Sequence, residues 1–209
     1  MSTFVRIAIT TRIVNAEGYD ESRDALAHDW ADFMQAVLPE AVWMPFPNVG
    51  PGAASMAEAW GLDGIILSGG NDIGEQPLRD ATEASLLQWA LSRSKPVFGV
   101  CRGLQMLQTF FGGDLVSCRN HVATRHEVLL CAHSALGESG ITMDVNSFHT
   151  RAIATPAPDL DPLAMADDHA EAMRHSVHPV AGVMWHPERE TSPSKFDITF
   201  IRKLFLGDK

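Results

Sequence analysis

The chain has 209 residues, a formal net charge of -10 at neutral pH, 45% hydrophobic and 20% charged residues. Those values fit one globular domain, residues 1–209, with a substantial core, and the negative balance argues against non-specific binding to nucleic acid or an anionic membrane surface. The three cysteines, Cys101, Cys118 and Cys131, are odd in number and lack paired spacing, so neither a disulfide framework nor a zinc site is suggested and a reducing compartment fits best.

Residues 1–10 lack the long apolar region of a secretory leader, and no run is long enough to span a bilayer, so the chain is expected in the cytoplasm. Residues 4–10 predict an opening strand with Val5, Ile7 and Ile9 on one face. Leu26, Trp30, Phe33, Met34 and Val37 then follow a helical period, which predicts an amphipathic helix over residues 21–38 that stops before Pro39. A second strand is predicted at 41–44, ended by Pro45 and Pro47, and a short Ala-rich helix at 52–60. Residues 64–68 read as a buried parallel strand running into Gly69-Gly70-Asn71-Asp72, followed by a helix over 79–93.

Val97 to Val100 form a short, wholly apolar run, and Leu104, Leu107 and Phe111 take up helical spacing just beyond it. Cys101 is therefore placed on a strand-to-helix turn, bracketed by Gly99 and Gly103, where the backbone bends sharply and a substrate can approach the sulfur. A helix N-terminus favours a thiolate and an oxyanion beside it. A buried, inert cysteine is the ordinary alternative, and the glycine bracket favours the nucleophile.

Gly112-Gly113 closes that helix. Residues 126–145 carry shorter, strand-like signals with turns at Gly137 and Gly140, predicting an antiparallel extension. Pro156, Pro158 and Pro162 mark a loop; residues 163–166, 172–175 and 180–185 are the last predicted strands. Ser192-Pro193 predicts the start of a C-terminal helix whose apolar face is Phe196, Phe200, Ile201, Leu204 and Phe205.

A nucleophilic thiol needs a base, and the base needs a group that orients its other nitrogen. Of nine histidines, His186 is preferred, because a buried strand ends at His186-Pro187-Glu188 and Glu188 can reach the same ring. The segment Gly99-Val100-Cys101-Arg102-Gly103-Leu104-Gln105 together with Trp185-His186-Pro187-Glu188 resembles class I glutamine amidotransferase domains. Ser68-Gly69-Gly70-Asn71-Asp72, Arg79-Asp80 with Glu83, Lys95-Pro96 and Gly112-Gly113-Asp114-Leu115 resemble the branch of gamma-glutamyl hydrolases, peptidase family C26.

The resemblance implies an α/β fold: a three-layer, flavodoxin-like, mostly parallel sheet with helices on both faces and a small antiparallel extension. It also implies attack by Cys101 on a gamma-glutamyl amide, with His186 shuttling protons, Glu188 orienting it, and backbone N–H groups of Gly70 and Arg102 holding the oxyanion. Asn71, Gln105, Asn146, Ser147, Phe148 and His149 match positions near the glutamyl group. A solvated helix position for Gln105 and a structural hydrogen bond for His149 are the alternatives.

Within the branch, residues 21–30, 69–74, 146–150 and 184–190 resemble the small hydrolases of capsule phosphoramidate synthesis, which release cytidine diphosphoramidate from gamma-glutamyl-CDP-amidate. Only six residues separate Asn71-Asp72 from Arg79-Asp80, where many gamma-glutamyl hydrolases carry a longer loop with a tyrosine. Arg119, His121, Arg125 and His126 form a basic cluster that suggests an anionic leaving group; surface pairing with carboxylates is the alternative. No cofactor, metal, nucleic acid or membrane partner is expected, only a small gamma-glutamyl substrate and at most a second copy of the chain. A glutaminase subunit serving a separate synthetase, a hydrolase of another gamma-glutamyl amine, and a non-catalytic binding module on the same fold are the competing readings.

Overall fold

The computed structural model describes residues 4–131 and 140–207. In chain order its elements are β1 (Val5–Thr10), β2 (Arg12–Asn15), β3 (Ser22–Ala25), α1 (Asp29–Val37), β4 (Ala41–Phe46), α2 (Ala53–Trp60), β5 (Gly64–Leu67), α3 (Pro77–Ser92), β6 (Val97–Val100) and α4 (Arg102–Phe110). There follow β7 (Val116–Ser117), β8 (Val122–Leu130), β9 (Thr142–Phe148), β10 (Arg151–Ala152), β11 (Leu160–Ala166), β12 (His169–His175), β13 (Val180–Val183) and α5 (Lys195–Leu206).

Nine strands form one sheet in the order β4-β1-β5-β6-β13-β12-β11-β8-β9. The first five are mutually parallel, and β12, β11, β8 and β9 extend the same sheet antiparallel. The all-buried runs of β5, β6 and β13 explain why these three lie at the centre. On one face Ile7, Ile9, Phe98 and Val100 pack with Trp30 of α1 and Phe200 of α5. On the other, Ala8, Ile65, Leu67 and Val97 pack with α2, α3 and α4 through Ala57, Leu86 and Leu104. The result is the three-layer α/β arrangement with an antiparallel extension. Among the described residues no helix is long and apolar enough to cross a membrane.

Several elements differ from their predicted form. Residues 22–25 are not the first turn of a helix but a strand paired with Arg12–Asn15, and α1 begins only at Asp29. Ser22, Arg23 and Asp24 are exposed, and Asp24 accepts a 2.9 Å hydrogen bond from the Asn48 backbone N–H. The helical period in fact holds only from Trp30, with Leu26 packing on the core from outside the helix. β4 runs through Pro45 to Phe46, which an edge strand tolerates because one side of its ladder is unpaired. Pro162 lies inside β11, where the register shifts between Pro162 and Ala164, rather than in a loop. The C-terminal helix starts at Lys195, not at Ser192-Pro193, because the Ser194 hydroxyl accepts the Asp197 N–H at 3.0 Å and caps it. Strand β8 begins at Val122 and β9 continues to Phe148; Gly140 lies at a turn, and Gly137 is outside the described residues.

The order β5-β6-β13 decides where the chemistry sits. Parallel neighbours lie about 4.8 Å apart, so the segments leaving their carboxyl ends share one crevice. Those segments begin at Ser68, Cys101 and Met184.

Candidate active site

Cys101 stands between β6 and α4 with φ 51° and ψ -105°, a conformation costly for a residue with a side chain. It is held there by its own N–H, which donates to the Val183 carbonyl at 2.8 Å, and by its carbonyl, which accepts from the Gln105 N–H at 3.1 Å. The bend works only because the chain comes so close to itself: a Cβ on Gly99 would lie 2.6 Å from the Gly103 carbonyl carbon. The thiol is 6% exposed and stands at the N-terminus of α4.

His186 follows β13 and is 2% exposed. Its Nδ1 lies 2.7 Å from Glu188 Oε1, and its side chain is also hydrogen-bonded to Cys101. Burial works against the imidazolium, but the hydrogen bonds and charges of Cys101 and Glu188 outweigh it and raise the pKa to about 9. Asn146 fixes the backbone beneath this ring: its Oδ1 accepts the His186 N–H at 2.9 Å, and its Nδ2 donates to the His186 carbonyl at 2.8 Å and to Glu190 at 2.7 Å.

The loop after β5 is built by a buried guanidinium. Arg79 is fully buried and donates to the carbonyls of Ser68 (2.7 Å), Gly69 (3.1 Å) and Gly70. In a trans peptide C=O and N–H point oppositely, so anchoring the Gly69 carbonyl on Arg79 turns the Gly70 N–H away from α3. The loop touches the histidine: a Cβ on Gly69 would lie 2.7 Å from His186 Cε1. Glu83, also fully buried, accepts from Arg79 Nε at 3.0 Å and Thr10 Oγ1 at 2.8 Å and pairs with Arg102, which reaches Asp80 as well. The guanidinium of Arg102 thus ties the start of α4 to α3.

Other expected ligand contacts have protein partners. Gln105 is buried, and its Nε2 donates to the Arg151 carbonyl at 3.3 Å. Ser147 is buried and donates to the His121 carbonyl at 2.8 Å. The Asn71 amide brackets Ile13, accepting its N–H at 2.9 Å and donating to its carbonyl at 3.1 Å. Phe148 is exposed and meets the His186 ring edge-on at 5.7 Å, with the Arg189 guanidinium 4.5 Å above its own ring.

The basic cluster at 119–126 does not converge into one positive patch. Arg125 and His126 are neighbours on β8 and therefore point to opposite faces. Arg125 is taken by Asp144 at 2.5 Å and Glu190 at 2.9 Å, while His126 lies 3.4 Å from the buried Glu171. Burial and the proximity of His126 push the His121 pKa down, which favours a neutral ring. Arg119 is exposed. Two arginines that the sequence patterns did not single out flank the loop instead: Arg12 and Arg189 line a small cavity with Trp30 and Ser68-Gly69-Gly70. A larger cavity of about 380 Å³ beside it shares Glu188 and Arg189 and runs past Asp29 and Asp32. Among the described residues His121, His149 and Glu171 form the group whose donor atoms are placed for a metal ion.

A Peptidase C26 family model matches residues 6–188. The chain belongs to the peptidase C26 family. It is 31% identical over 204 residues to the gamma-glutamyl-CDP-amidate hydrolase of Campylobacter jejuni, covering 92% of this chain and 94% of that protein. It is 33% identical over 130 residues to the glutamine-hydrolysing component of GMP synthase from Methanospirillum hungatei, covering 61% of this chain and 65% of that one. The glutaminase domain of Trypanosoma brucei CTPS has the same fold, with a TM-score of 0.68 at 16% identity over 98% of this chain and 95% of that chain. Membership of peptidase C26 and the amidotransferase relatives make the chain a hydrolase of the glutamine amidotransferase-like class, acting on gamma-glutamyl amides.

The buried Arg79–Glu83–Arg102 arrangement generates a stability prediction. Glu83→Gln leaves two buried guanidinium groups without their shared charge and is expected to lower unfolding stability by about 3–5 kcal/mol. A urea midpoint shift equivalent to less than about 1 kcal/mol would place the clamp among ordinary surface pairs.

Proposed function

We propose that the protein is a free-standing hydrolase that removes glutamate from a gamma-glutamyl metabolite with an anionic leaving group, in the manner of gamma-glutamyl-CDP-amidate. The observation that carries the reading is His186, bonded on one side to Glu188 and on the other to Cys101 at a strained strand-to-helix turn. The near full-length likeness to the Campylobacter jejuni enzyme supports the substrate class. Three unpaired cysteines fit a cytoplasmic, reducing compartment.

In the proposed reaction the Cys101 thiolate attacks the gamma-carbonyl carbon, and the carbonyl electron pair moves to oxygen. Backbone N–H groups of Gly70 and Arg102 hold that oxyanion. His186 gives its proton to the amide nitrogen, the C–N bond breaks, and a glutamyl thioester remains. Water then attacks the thioester, His186 takes the proton from it, and the C–S bond breaks to release glutamate and the thiolate. Glu188 holds the ring in the productive orientation throughout, and Asn146 positions the backbone that carries the ring.

A second reading, a glutaminase that passes ammonia to a separate synthetase, draws on the likeness to the GMP synthase component. Incubation of the pure protein with glutamine and with gamma-glutamyl amides separates the two. Glutamine offers no binding energy beyond its amide, so its kcat/KM is expected to be roughly 100-fold or more below that of a gamma-glutamyl nucleotide phosphoramidate. Efficient hydrolysis of glutamine alone would favour the ammonia-supplying role. Cys101→Ala should abolish glutamate release with the melting temperature retained; comparable turnover by this variant would sink the assignment.

The raised pKa of His186 sets a pH limit. Below about 9 the imidazolium can protonate the leaving nitrogen, and above that value kcat/KM should fall tenfold per pH unit. Glu188→Gln removes a bond and a charge that stabilise the imidazolium, so the alkaline limb should move to lower pH by roughly one unit. An unmoved limb would show that Glu188 does not act on His186.

For the leaving group, the arginines beside the Gly-Gly loop replace the expected patch at 119–126. Arg189→Ala should raise KM about tenfold for a nucleotide phosphoramidate, the loss of one charge-assisted contact, with little change for a neutral gamma-glutamyl anilide. Equal changes on both substrates would mean that Arg189 acts on the site as a whole.

A further inference from the structure

Glu171 on β12 is 1% exposed, and neither of its carboxylate oxygens has a hydrogen-bond partner among the described residues. A buried carboxylate in that condition carries a large desolvation cost unless a cation or a proton meets it. Imidazoles surround it. His149 Nε2 lies 3.7 Å from Oε1 and His126 Nε2 lies 3.4 Å from Oε2, neither aligned as a hydrogen bond.

The tautomer of His149 follows from its other nitrogen. Nδ1 lies 2.9 Å from the Arg151 carbonyl oxygen, which only accepts, so Nδ1 carries the proton and Nε2 offers a lone pair. Burial is the main reason its pKa is lowered to about 4, opposed by Glu171 and reinforced by His121, so no second proton is held near neutral pH. A buried lone pair therefore faces a buried carboxylate oxygen, an arrangement that repels unless something positive lies between them. His121, itself favoured neutral by burial and by His126, brings a third donor: the ligand atoms of His121, His149 and Glu171 lie within 4.8 Å of one another.

We propose that His121, His149 and Glu171 form a binding site for one divalent transition-metal ion of the zinc type, with His126 beside the second carboxylate oxygen. Two imidazoles and a carboxylate suit zinc, whereas calcium and magnesium take oxygen ligands. The bond from His149 Nδ1 to a backbone carbonyl is the usual partner contact of a metal-binding histidine. With metal–nitrogen bonds of about 2.0–2.1 Å, the ligand atoms of a tetrahedral site lie roughly 3.4 Å apart, so small side-chain rotations close the group. His121 precedes β8, His149 follows β9 and Glu171 belongs to β12, so the ion ties three segments of the antiparallel half together. No step of the hydrolysis is routed through it.

The test uses the untagged full chain, stripped with a chelator and titrated with Zn²⁺. One ion per chain is expected, with the melting temperature raised by roughly 5–10 °C at a hundredfold excess over Kd. Co²⁺ in the same site should give visible d–d absorption. His121→Ala removes a half-buried side chain at the rim and should weaken the affinity by roughly 100-fold or more; Glu171→Gln should do the same. Cys101→Ala removes the other thiol–imidazole pair able to hold zinc and should leave stoichiometry and thermal shift unchanged. Failure to bind stoichiometrically, retention of full affinity by His121→Ala, or loss of the ion in Cys101→Ala overturns the proposal. If Glu171→Gln does not fold, His121→Ala decides alone. Metal content and melting temperature do not depend on the substrate, so the proposed site and the proposed reaction fail separately.

Discussion

The site depends on one buried carboxylate. Glu83 is shared by Arg79 and Arg102, and through them it holds both chain segments that have to meet at the nucleophile. Arg79 reads three successive carbonyls of the Ser68-Gly69-Gly70 loop, and Arg102 is the first residue of α4. Two guanidinium groups this deep repel each other and have lost their water. The carboxylates of Glu83 and Asp80 restore the charge balance, two against two. Hydrophobic residues of the same volume would pack as well, but they could not direct three carbonyls and thereby set the direction of an N–H.

That rigidity matters because the neighbouring turn is strained. Holding Cys101 at positive φ costs about 1–3 kcal/mol, and the surrounding structure has to over-determine the conformation. It does so through the parallel pairing of β6 with β13, in register from Val97↔Val180 to Val100↔Val183, which continues into the bond from the Cys101 N–H to Val183. The same pairing carries His186 past the end of β13, next to the strained residue. Nucleophile and base thus come from adjacent strands, and the loop with the proposed oxyanion donor comes from the next strand along.

What could be read from the sequence was local. The all-apolar runs of β5, β6 and β13, the glycine bracket around Cys101 and the spacing of His186 and Glu188 are short-range patterns, and each strand and turn they indicated is present. Residues 22–25 were not legible, because a polar strand that pairs only with another short exposed strand carries no apolar period of its own. Nor was the direction of His126 and Arg125, which depends on the register of β8 against β9. Arg12 and Arg189 lie 177 positions apart in the chain and reach one cavity only through the topology. The side chain of Arg102 was missed for a similar reason: its motif position draws attention to the backbone N–H, while its guanidinium serves Glu83 and Asp80 in α3.

The histidine cluster and the catalytic geometry meet on β9. This strand lies at the edge of the nine-stranded sheet and has one ladder, to β8. An edge strand with one partner is placed less firmly than a central strand, and its side chains have to supply the remaining constraints. Along β9 and its continuation, Asn146 is bound to the backbone of His186, Ser147 to the His121 carbonyl, Phe148 packs against the His186 ring, and His149 faces Glu171. Glu171 also accepts the Met184 N–H through its backbone carbonyl at 2.6 Å, two residues before His186. A cation between His149 and Glu171 would therefore fasten β9 to the strand that supports the base, while leaving the sulfur and the reacting carbonyl to the other half of the sheet.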